Sequence, residues 1–149
     1  MNKTHFFGGF ENTKRDLSGS SVITIPTATA SLLGISDARF QDRVANAKFG
    51  IGKIDHQLTN AHRLSVRYIY FDQTITNNVG GGIGSVQRAT DFFDRQHSTA
   101  AQLISTIRPT LLNELRLQYA TRAQGRTPGS QAGTGPAITA GDVDANWEA

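Results

Sequence analysis

The sequence predicts an all-β chain, an antiparallel meander of about five strands with long loops. Three observations lead to this prediction. Apolar and polar residues alternate with a period of two along several stretches of the 149 residues, which is typical of strands with one apolar and one polar face. Glycine, proline and other turn-forming residues separate these stretches. The connections alternate in length, so that each short turn is followed by a long loop.

The clearest of these stretches spans residues 49–72 and predicts a β-hairpin. Both arms alternate throughout, whereas residues 59–63 between them lose the alternation and supply turn formers. One face of the hairpin is nearly all apolar or aromatic: Ile54, His56, Leu58, Leu64, Val66, Tyr68 and Tyr70. The other face is mostly polar: Lys53, Asp55, Gln57, Ser65, Arg67, Ile69 and Phe71. The hairpin therefore has one side suited to an apolar environment and one suited to water.

Upstream of the hairpin, the pattern predicts one short strand and a long loop. The strand covers residues 3–11, with Phe6 and Phe10 on one face. Residues 12–47 form a polar segment that predicts a loop, including its threonine- and alanine-rich middle part. Within this loop Ser36 is a suitable N-cap for a short helix whose apolar residues follow at i, i+4 and i+7 spacing. These residues are Phe40, Val44 and Ala47.

Downstream of the hairpin, residues 73–94 contain the run Gly80–Gly82 and predict a second long loop. Two further strands are predicted over residues 95–107 and 113–120, and the tail from residue 121 predicts a third long loop. Both strand segments also fit helical spacing, through Ala100, Leu103, Ile104 and Ile107 and through Leu111, Leu112, Leu115 and Tyr119. The clean Leu-Arg-Leu-Gln-Tyr alternation favours strands.

Composition narrows the class of protein. A chain of 149 residues with 38% hydrophobic content suffices for one domain with a modest core, or for part of one. The net charge of +3 comes from 15 basic and 12 acidic residues without runs of like sign, which argues against a nucleic-acid surface. The absence of cysteine excludes disulfides and thiolate metal sites. No apolar stretch is long enough for a membrane helix, a test that β-barrels escape. No secretion signal is visible, so we expect a cytosolic chain or a piece of a longer one.

The motifs that could carry chemistry are incomplete. The stretch Gly80–Ser85 lacks the last glycine of the dinucleotide pattern and the Gly-Lys-Ser/Thr end of a phosphate loop, so we interpret it as a flexible loop. The four histidines include no pair at i, i+4 on a helix, and a strand points Asp55 and His56 to opposite faces. No catalytic site, metal site or cofactor is predicted.

Connection lengths indicate a particular β architecture. The long connections 12–47 and 73–94 alternate with the short turns 59–63 and 108–111. Outer-membrane barrels have this rhythm, because strands of about ten residues are joined by short turns at one rim and longer loops at the other. Soluble β-sandwiches and barrels also contain hairpins, although their loops need not alternate so regularly. Two hypotheses remain at this point: an open segment of a transmembrane β-barrel wall, and a soluble β-rich binding module.

Four phrases of the sequence, taken in order, resemble a known family. They are KTHFFGGFENTKR at residues 3–15, TIPTATA at 24–30, GKIDHQLTNAHRLSVRYIYFD at 52–72 and STIRPTLLNELRLQYATR at 105–122. This combination is similar to the Oar-like barrel region of bacterial TonB-dependent outer-membrane receptors. Such receptors have a signal peptide, an N-terminal plug and a barrel of 22 strands. The resemblance implies that residues 1–149 are the N-terminal part of such a barrel, without the plug and the remaining strands.

The resemblance also implies a function, a localisation and a set of partners. The parent protein would be a receptor and transporter in the bacterial outer membrane, taking up an unidentified ligand without catalysis or a cofactor. Its partners would be outer-membrane lipid, the rest of its own barrel and plug, and TonB acting through that plug, with no nucleic acid. The lumen-facing candidates are Lys53, Asp55, Gln57, Arg67, Glu114 and Arg116. The candidates for the lipid face and its aromatic girdle are Phe6, Phe10, Leu64, Val66, Tyr68, Tyr70, Leu115, Leu117 and Tyr119.

Overall fold

Five strands of the computed structural model form one open sheet in the order β1-β2-β3-β4-β5, an antiparallel meander in which each strand pairs with its neighbour in sequence. They are β1 (Thr4–Asp16), β2 (Val44–Gln57), β3 (His62–Asn78), β4 (Thr90–Arg108) and β5 (Leu111–Pro128). The structure describes residues 3–19, 22–78, 82–130, 132–135, 137–140 and 143–146, the last two segments by their backbone. The predicted fold class is confirmed, and the segments that also fitted helical spacing are strands.

The predicted rhythm of connections is confirmed as well. The long connections separate β1 from β2 and β3 from β4, with residues 17–19, 22–43 and 82–89 described, and residues 58–61 and 109–110 form the short turns. The short turn after β2 is closed by two backbone hydrogen bonds between Thr59 and His62, of 3.2 and 3.3 Å. Short turns thus fix the pairing of β2 with β3 and of β4 with β5.

All five strands are longer than predicted, and β2 and β4 begin earlier, at Val44 and Thr90. β1 continues to Asp16, β3 continues to Asn78, and β5 extends to Pro128 through a stretch predicted to be loop. The residues added at the ends of β1, β3 and β5 are mostly polar on both faces, so they lack the alternation that marks an amphipathic strand. Pairing with a neighbour satisfies their backbone groups regardless of that pattern. The tail contains two more short strands that the sequence did not reveal, β6 (Ala137–Ala140) and β7 (Val143–Asn146), which pair antiparallel.

The helix predicted behind Ser36 is wrong. The helix of the long first connection is α1 (Thr27–Leu33), in the stretch predicted to be loop, while Val44 already begins β2. Pro26 is the N-cap residue of α1, and its fixed φ suits a helix start as well as it stops a strand. Gly34 ends the helix at φ 64°, where its N–H donates to the carbonyls of Ala30 and Ser31.

Close packing divides the chain into two units. The strand unit comprises Met1–Asn12, Ala47–Asp72 and Asp94–Ala123. The loop unit comprises Thr13–Asn46, Gln73–Phe93 and Gln124–Ala149.

The loop unit has a small hydrophobic core. Ile23, Ile25, Ala30 and Val86 are its buried members. Ile23 also anchors the backbone, because its N–H donates to the Arg39 carbonyl at 2.9 Å and the residue forms a parallel bridge with Gly82. Gly82 has a φ of 64°, while Gly80 and Gly81 of the predicted flexible loop lie outside the described residues. A 3-10 turn over Val86–Arg88 follows. At least part of this connection is therefore packed.

Asn77 joins three segments of the loop unit. It has a φ of 50°, a left-handed conformation that asparagine tolerates better than most residues. Its N–H donates to the Asp91 carboxylate at 2.8 Å, and its side-chain amide donates to the Asp42 carbonyl at 3.0 Å. Its amide oxygen accepts from the Ser130 hydroxyl at 3.3 Å. The end of β3 is thereby tied to the segments before β2, at the start of β4 and after β5.

Candidate functional site

The predicted polar residues of β2 and β3 contact one another on one face of the strand unit. Asp55 is the centre of this group. Lys53 Nζ lies 2.8 Å from Asp55 Oδ2, and the Ser65 hydroxyl donates a hydrogen bond to the same carboxylate. Arg63 Nη2 adds a longer contact of 3.6 Å. The Asp55 carboxylate is thus occupied by donors from two strands, as expected for a cross-strand polar pair.

A second polar group lies on β4 and β5. Glu114 is its only acidic member, and it accepts hydrogen bonds from Gln102 on β4 and from the guanidinium of Arg116 on its own strand. Two residues further along, the Gln118 amide donates to the Ser98 hydroxyl at 3.2 Å. These contacts form a polar ladder between the two strands.

The two groups border a common groove of about 490 Å³. Its lining residues are Lys53, Ser65, Arg67, Ala100, Ala101, Gln102, Arg116, Leu117 and Gln118. Three of these side chains are cationic. Arg67 makes no ion pair with any described residue, whereas Lys53 and Arg116 each contact a carboxylate. We call this feature the cationic groove.

Gln57 is the one lumen-facing candidate with a different role. Its side-chain amide donates to the carbonyls of Thr59 and His62, so it braces the short turn after β2 and does not line the cationic groove. Leu117, predicted for the lipid face, also borders the cationic groove.

Five of the candidates for the lipid face lie close to one another in two groups. Phe6, Val66 and Tyr68 line one apolar depression of about 260 Å³. Gly50 lies between Phe10 and Tyr70, since a Cβ placed on it would be 4.0 Å from the Phe10 ring and 3.8 Å from Tyr70 Cβ. For the remaining members, Leu64, Leu115, Leu117 and Tyr119, placement in the same set stays a prediction from the alternation along their strands. We call this face the aromatic face.

His97 is part of the aromatic face and was not predicted. Its Nδ1 lies 2.7 Å from the Tyr68 hydroxyl, and its ring centroid is 5.3 Å from that of Tyr70. Beside it, Arg95 Nε lies 3.4 Å from the Asp72 carboxylate. The signal was available, because both residues share the odd-numbered side of β4 with Ala101 and Leu103. Extending that alternation toward the start of the strand would have found them.

The best-formed ion pair of the strand unit was also missed. Arg122 contacts Asp94 through two parallel hydrogen bonds, Nε to Oδ1 at 2.9 Å and Nη2 to Oδ2 at 2.7 Å. Asp94 is only 5% exposed, and such two-pronged pairing is the geometry in which arginine binds carboxylates best. Both residues fell in segments predicted to be loops, so nothing in the sequence marked them as strand partners.

Metal-binding clusters and membrane-spanning helices were sought among the described residues. Across the part of the chain that is described, no group of three or more His, Cys, Asp and Glu side chains is arranged to hold a metal ion. None of the described helices has the length and apolar character needed to cross a membrane. The cationic groove remains the feature with several convergent polar groups, which is the usual character of a binding site.

The fold agrees with a comparison against known protein families. A family model described as outer membrane beta barrel domain matches residues 34–146. This range begins at the glycine that ends α1 and includes β2 through β7, with both faces of the hairpin and the cationic groove. No curated protein and no solved structure matches the chain.

Proposed function

Because the chain belongs to the outer membrane β-barrel domain family, we propose that it is part of a TonB-dependent receptor that takes up a ligand across the bacterial outer membrane. The localisation follows from the family itself. The family also decides between the two hypotheses from the sequence, since a soluble β-rich module has no reason to carry this domain. The proposed role is transport, without catalysis.

The observation that carries the proposal is the division of the sheet into two unlike faces. On the aromatic face, Phe6 is 87% exposed and Tyr119 is 73% exposed, values that are costly in water and favourable against lipid. On the opposite face, carboxylates and cations pair with one another around the cationic groove. A wall with lipid on one side and an aqueous lumen on the other requires this division.

We therefore assign the aromatic face to lipid and the face with the cationic groove to the lumen. Charged residues cost little in a polar lumen, whereas the same residues in hydrocarbon cost several kcal/mol. Tyr68, Tyr70 and Tyr119 would contribute to the aromatic girdle near the polar pair of Arg95 and Asp72. The partners are outer-membrane lipid, the remaining strands of the same barrel, and a plug through which TonB acts.

The sequence phrases support the finer assignment. The phrases that resemble Oar-like receptors occur in the same order along the chain, and in the structure they fall on β1, α1, β2 with β3, and β4 with β5. On this proposal, residues 1–149 form the N-terminal part of the barrel. Ligand uptake would then depend on energised TonB.

The reading frame around the coding sequence gives the first test. We expect an upstream region that encodes a plug domain and a downstream region that encodes further barrel strands. A frame with many further strands but no plug on either side would contradict TonB dependence while leaving the barrel intact.

Uptake gives the second test. Two strains of the source bacterium, one with this gene disrupted and one without TonB, are compared for growth on a panel of limiting nutrients. We expect both strains to lose growth on the same nutrient, and restoring the gene to recover it in the first strain. A nutrient whose use requires this gene but not TonB would contradict the proposal.

A further inference from the structure

We propose that the cationic groove binds the anionic group of a small solute, a carboxylate or a phosphate, with Arg67 as its principal contact. This inference deepens the proposed receptor function and rests on it, because it names the chemical class of ligand that the lumen-facing wall recognises. Neither the family nor the resemblance assigns a ligand to these residues.

The charge balance of the groove supports the proposal. Lys53, Arg67 and Arg116 bring three cations to its lining. The nearby carboxylates are already engaged: Asp55 with Lys53, Ser65 and Arg63, and Glu114 with Gln102 and Arg116. Neither carboxylate is in contact with Arg67. The groove therefore holds one positive charge that no described residue compensates.

The kind of cation matters as well. A guanidinium presents a planar fork of donors that matches a carboxylate or phosphate, and it stays charged at every physiological pH. The side chains of Lys53 and Arg116 lie on the same groove and add attraction at longer range, while Ser65, Gln102 and Gln118 supply neutral polar groups. A volume of about 490 Å³ lies within the usual range of small-molecule sites.

The ion pairs on either side of Arg67 also hold the groove in place. Lys53 is fixed by Asp55 at 2.8 Å, and Arg116 is fixed by Glu114. An anion that enters between them meets donors whose positions are already set, which reduces the entropy lost on binding. Because the groove is open to solvent, we expect weak binding that falls as the salt concentration rises.

The test uses the full-length protein, refolded in detergent micelles and checked by its resistance to unfolding on an unheated gel. Malate and inorganic phosphate are titrated calorimetrically at low ionic strength, with glycerol as the uncharged probe. We expect at least one anion to bind and glycerol not to bind. The two anion arms distinguish a carboxylate site from a phosphate site.

Three variants locate the binding. Arg67→Gln removes the charge and should weaken anion binding at least about tenfold, because the charged fork is the main contact. Arg67→Lys keeps the charge but not the planar fork of donors, so its anion affinity should lie between those of the parent protein and Arg67→Gln. Arg95→Gln is the matched control, an arginine of the same strand unit on the aromatic face, and should bind like the parent protein.

Several results would overturn the inference. The first is a folded parent protein that binds neither anion, as expected if an acidic side chain of the longer protein already pairs with Arg67. The second is unchanged anion binding in Arg67→Gln. The third is an equal loss of anion binding in Arg95→Gln. In each case the folded band and TonB-dependent uptake can still be present, so the receptor proposal would survive. Uptake that does not require TonB, together with intact anion binding, would contradict the receptor proposal and leave the anion site standing.

Discussion

The strand unit and the loop unit bury their apolar residues in different ways. All six buried hydrophobic residues of the described chain lie in the loop unit: Ile23, Ile25, Ala30, Ala45, Val86 and Ala89. The buried residues of the strand unit are polar, Asp94 and Ser105. Many of its large apolar side chains are exposed instead, among them Phe6, Phe10, Ile54, Leu115, Leu117 and Tyr119.

This difference indicates the environment in which each unit is stable. A segment that folds in water must remove apolar surface from water by packing it against itself, as the loop unit does around Ile23. A barrel wall has no such need, because lipid covers the apolar side chains and the backbone is satisfied by strand pairing. The absence of a core among the described residues of the strand unit is therefore a property of its environment.

The largest expected effect concerns the whole chain in water. Without lipid, the isolated 149 residues expose the aromatic face and both edges of the sheet, β1 and β5. We expect the isolated chain to aggregate in detergent-free buffer. Size exclusion and a thermal melt measure this, and a sharp monomer peak with a cooperative melt would contradict the contrast drawn above.

The next prediction tests which face meets lipid. Val66 and Arg67 are neighbours on β3 and point to opposite faces. In the full-length protein, Val66→Arg should cost about 2 to 4 kcal/mol near the bilayer midplane, because it places a charge in hydrocarbon. Arg67→Gln is the matched control and should leave the folded band intact on an unheated gel. A lost band in Arg67→Gln with an intact band in Val66→Arg would reverse the faces.

The core of the loop unit is tested by Ile23→Ala. Ile23 is 2% exposed, so the substitution leaves a cavity and should cost about 2 kcal/mol, at the low end of the usual range because the core is small. Limited proteolysis of residues 17–43 should become faster while the folded band persists. Leu32→Ala is the control, since Leu32 is 82% exposed and its loss should change little. Equal protease sensitivity in both variants would mean that this core does not hold the unit together.

A smaller difference in stability is expected between alanine substitutions at two strand glycines, Gly125 and Gly52. A Cβ on Gly125 would lie 2.9 Å from the Phe93 ring, so Gly125→Ala must displace that ring and should destabilise the folded protein by about 1 kcal/mol. A Cβ on Gly52 would meet nothing within 4 Å. Gly52→Ala should be neutral or slightly stabilising, because it restricts the unfolded chain. Urea unfolding of both variants in lipid vesicles measures the difference, and equal midpoints would show that the Phe93 ring does not depend on Gly125.

The smallest effect involves Asp16, at the last residue of β1 and beyond the apolar stretch of that strand. Hydrogen bonds from the side chain and the N–H of Ser18 lower the pKa of the Asp16 carboxyl. A folded-state pKa below the unfolded value contributes stability above the unfolded pKa, and this contribution is lost as pH falls through the folded one. Asp16→Asn should therefore reduce the pH dependence of loop-unit opening only slightly, measured by hydrogen exchange of Ser18. A higher Asp16 pKa than in a model peptide would contradict this.

Sequence patterns were reliable where one face of a strand is apolar. The central part of the hairpin of β2 and β3 was predicted, while its outer ends run on to Val44 and Asn78, because alternation with a period of two identifies the strands and their faces only where one face is apolar. The same reasoning grouped Lys53 and Asp55 with Arg67, and separated them from Val66 and Tyr68. Glycine and proline marked the breaks, and connection lengths gave the meander.

Patterns failed where tertiary contacts outweigh local preference. The ends of β3 and β5 are mostly polar on both faces, so pairing with neighbours is what makes them strands. The helix was predicted at Ser36 but formed at Thr27–Leu33, because Ala30 and Leu33 can pack against Ile23 and Val86. Spacing alone could not show which part of the connection has a core to cover.

The sequence by itself determined the fold class, the rhythm of turns and loops, and the two faces of the hairpin, because each depends on local alternation and turn chemistry. Only the tertiary structure decided the partners. It paired Asp94 with Arg122, tied Asn77 to three segments, and engaged Asp55 and Glu114 while leaving Arg67 without a carboxylate among the described residues. Such pairings depend on the register between strands, and register aligns residues that are far apart in the chain.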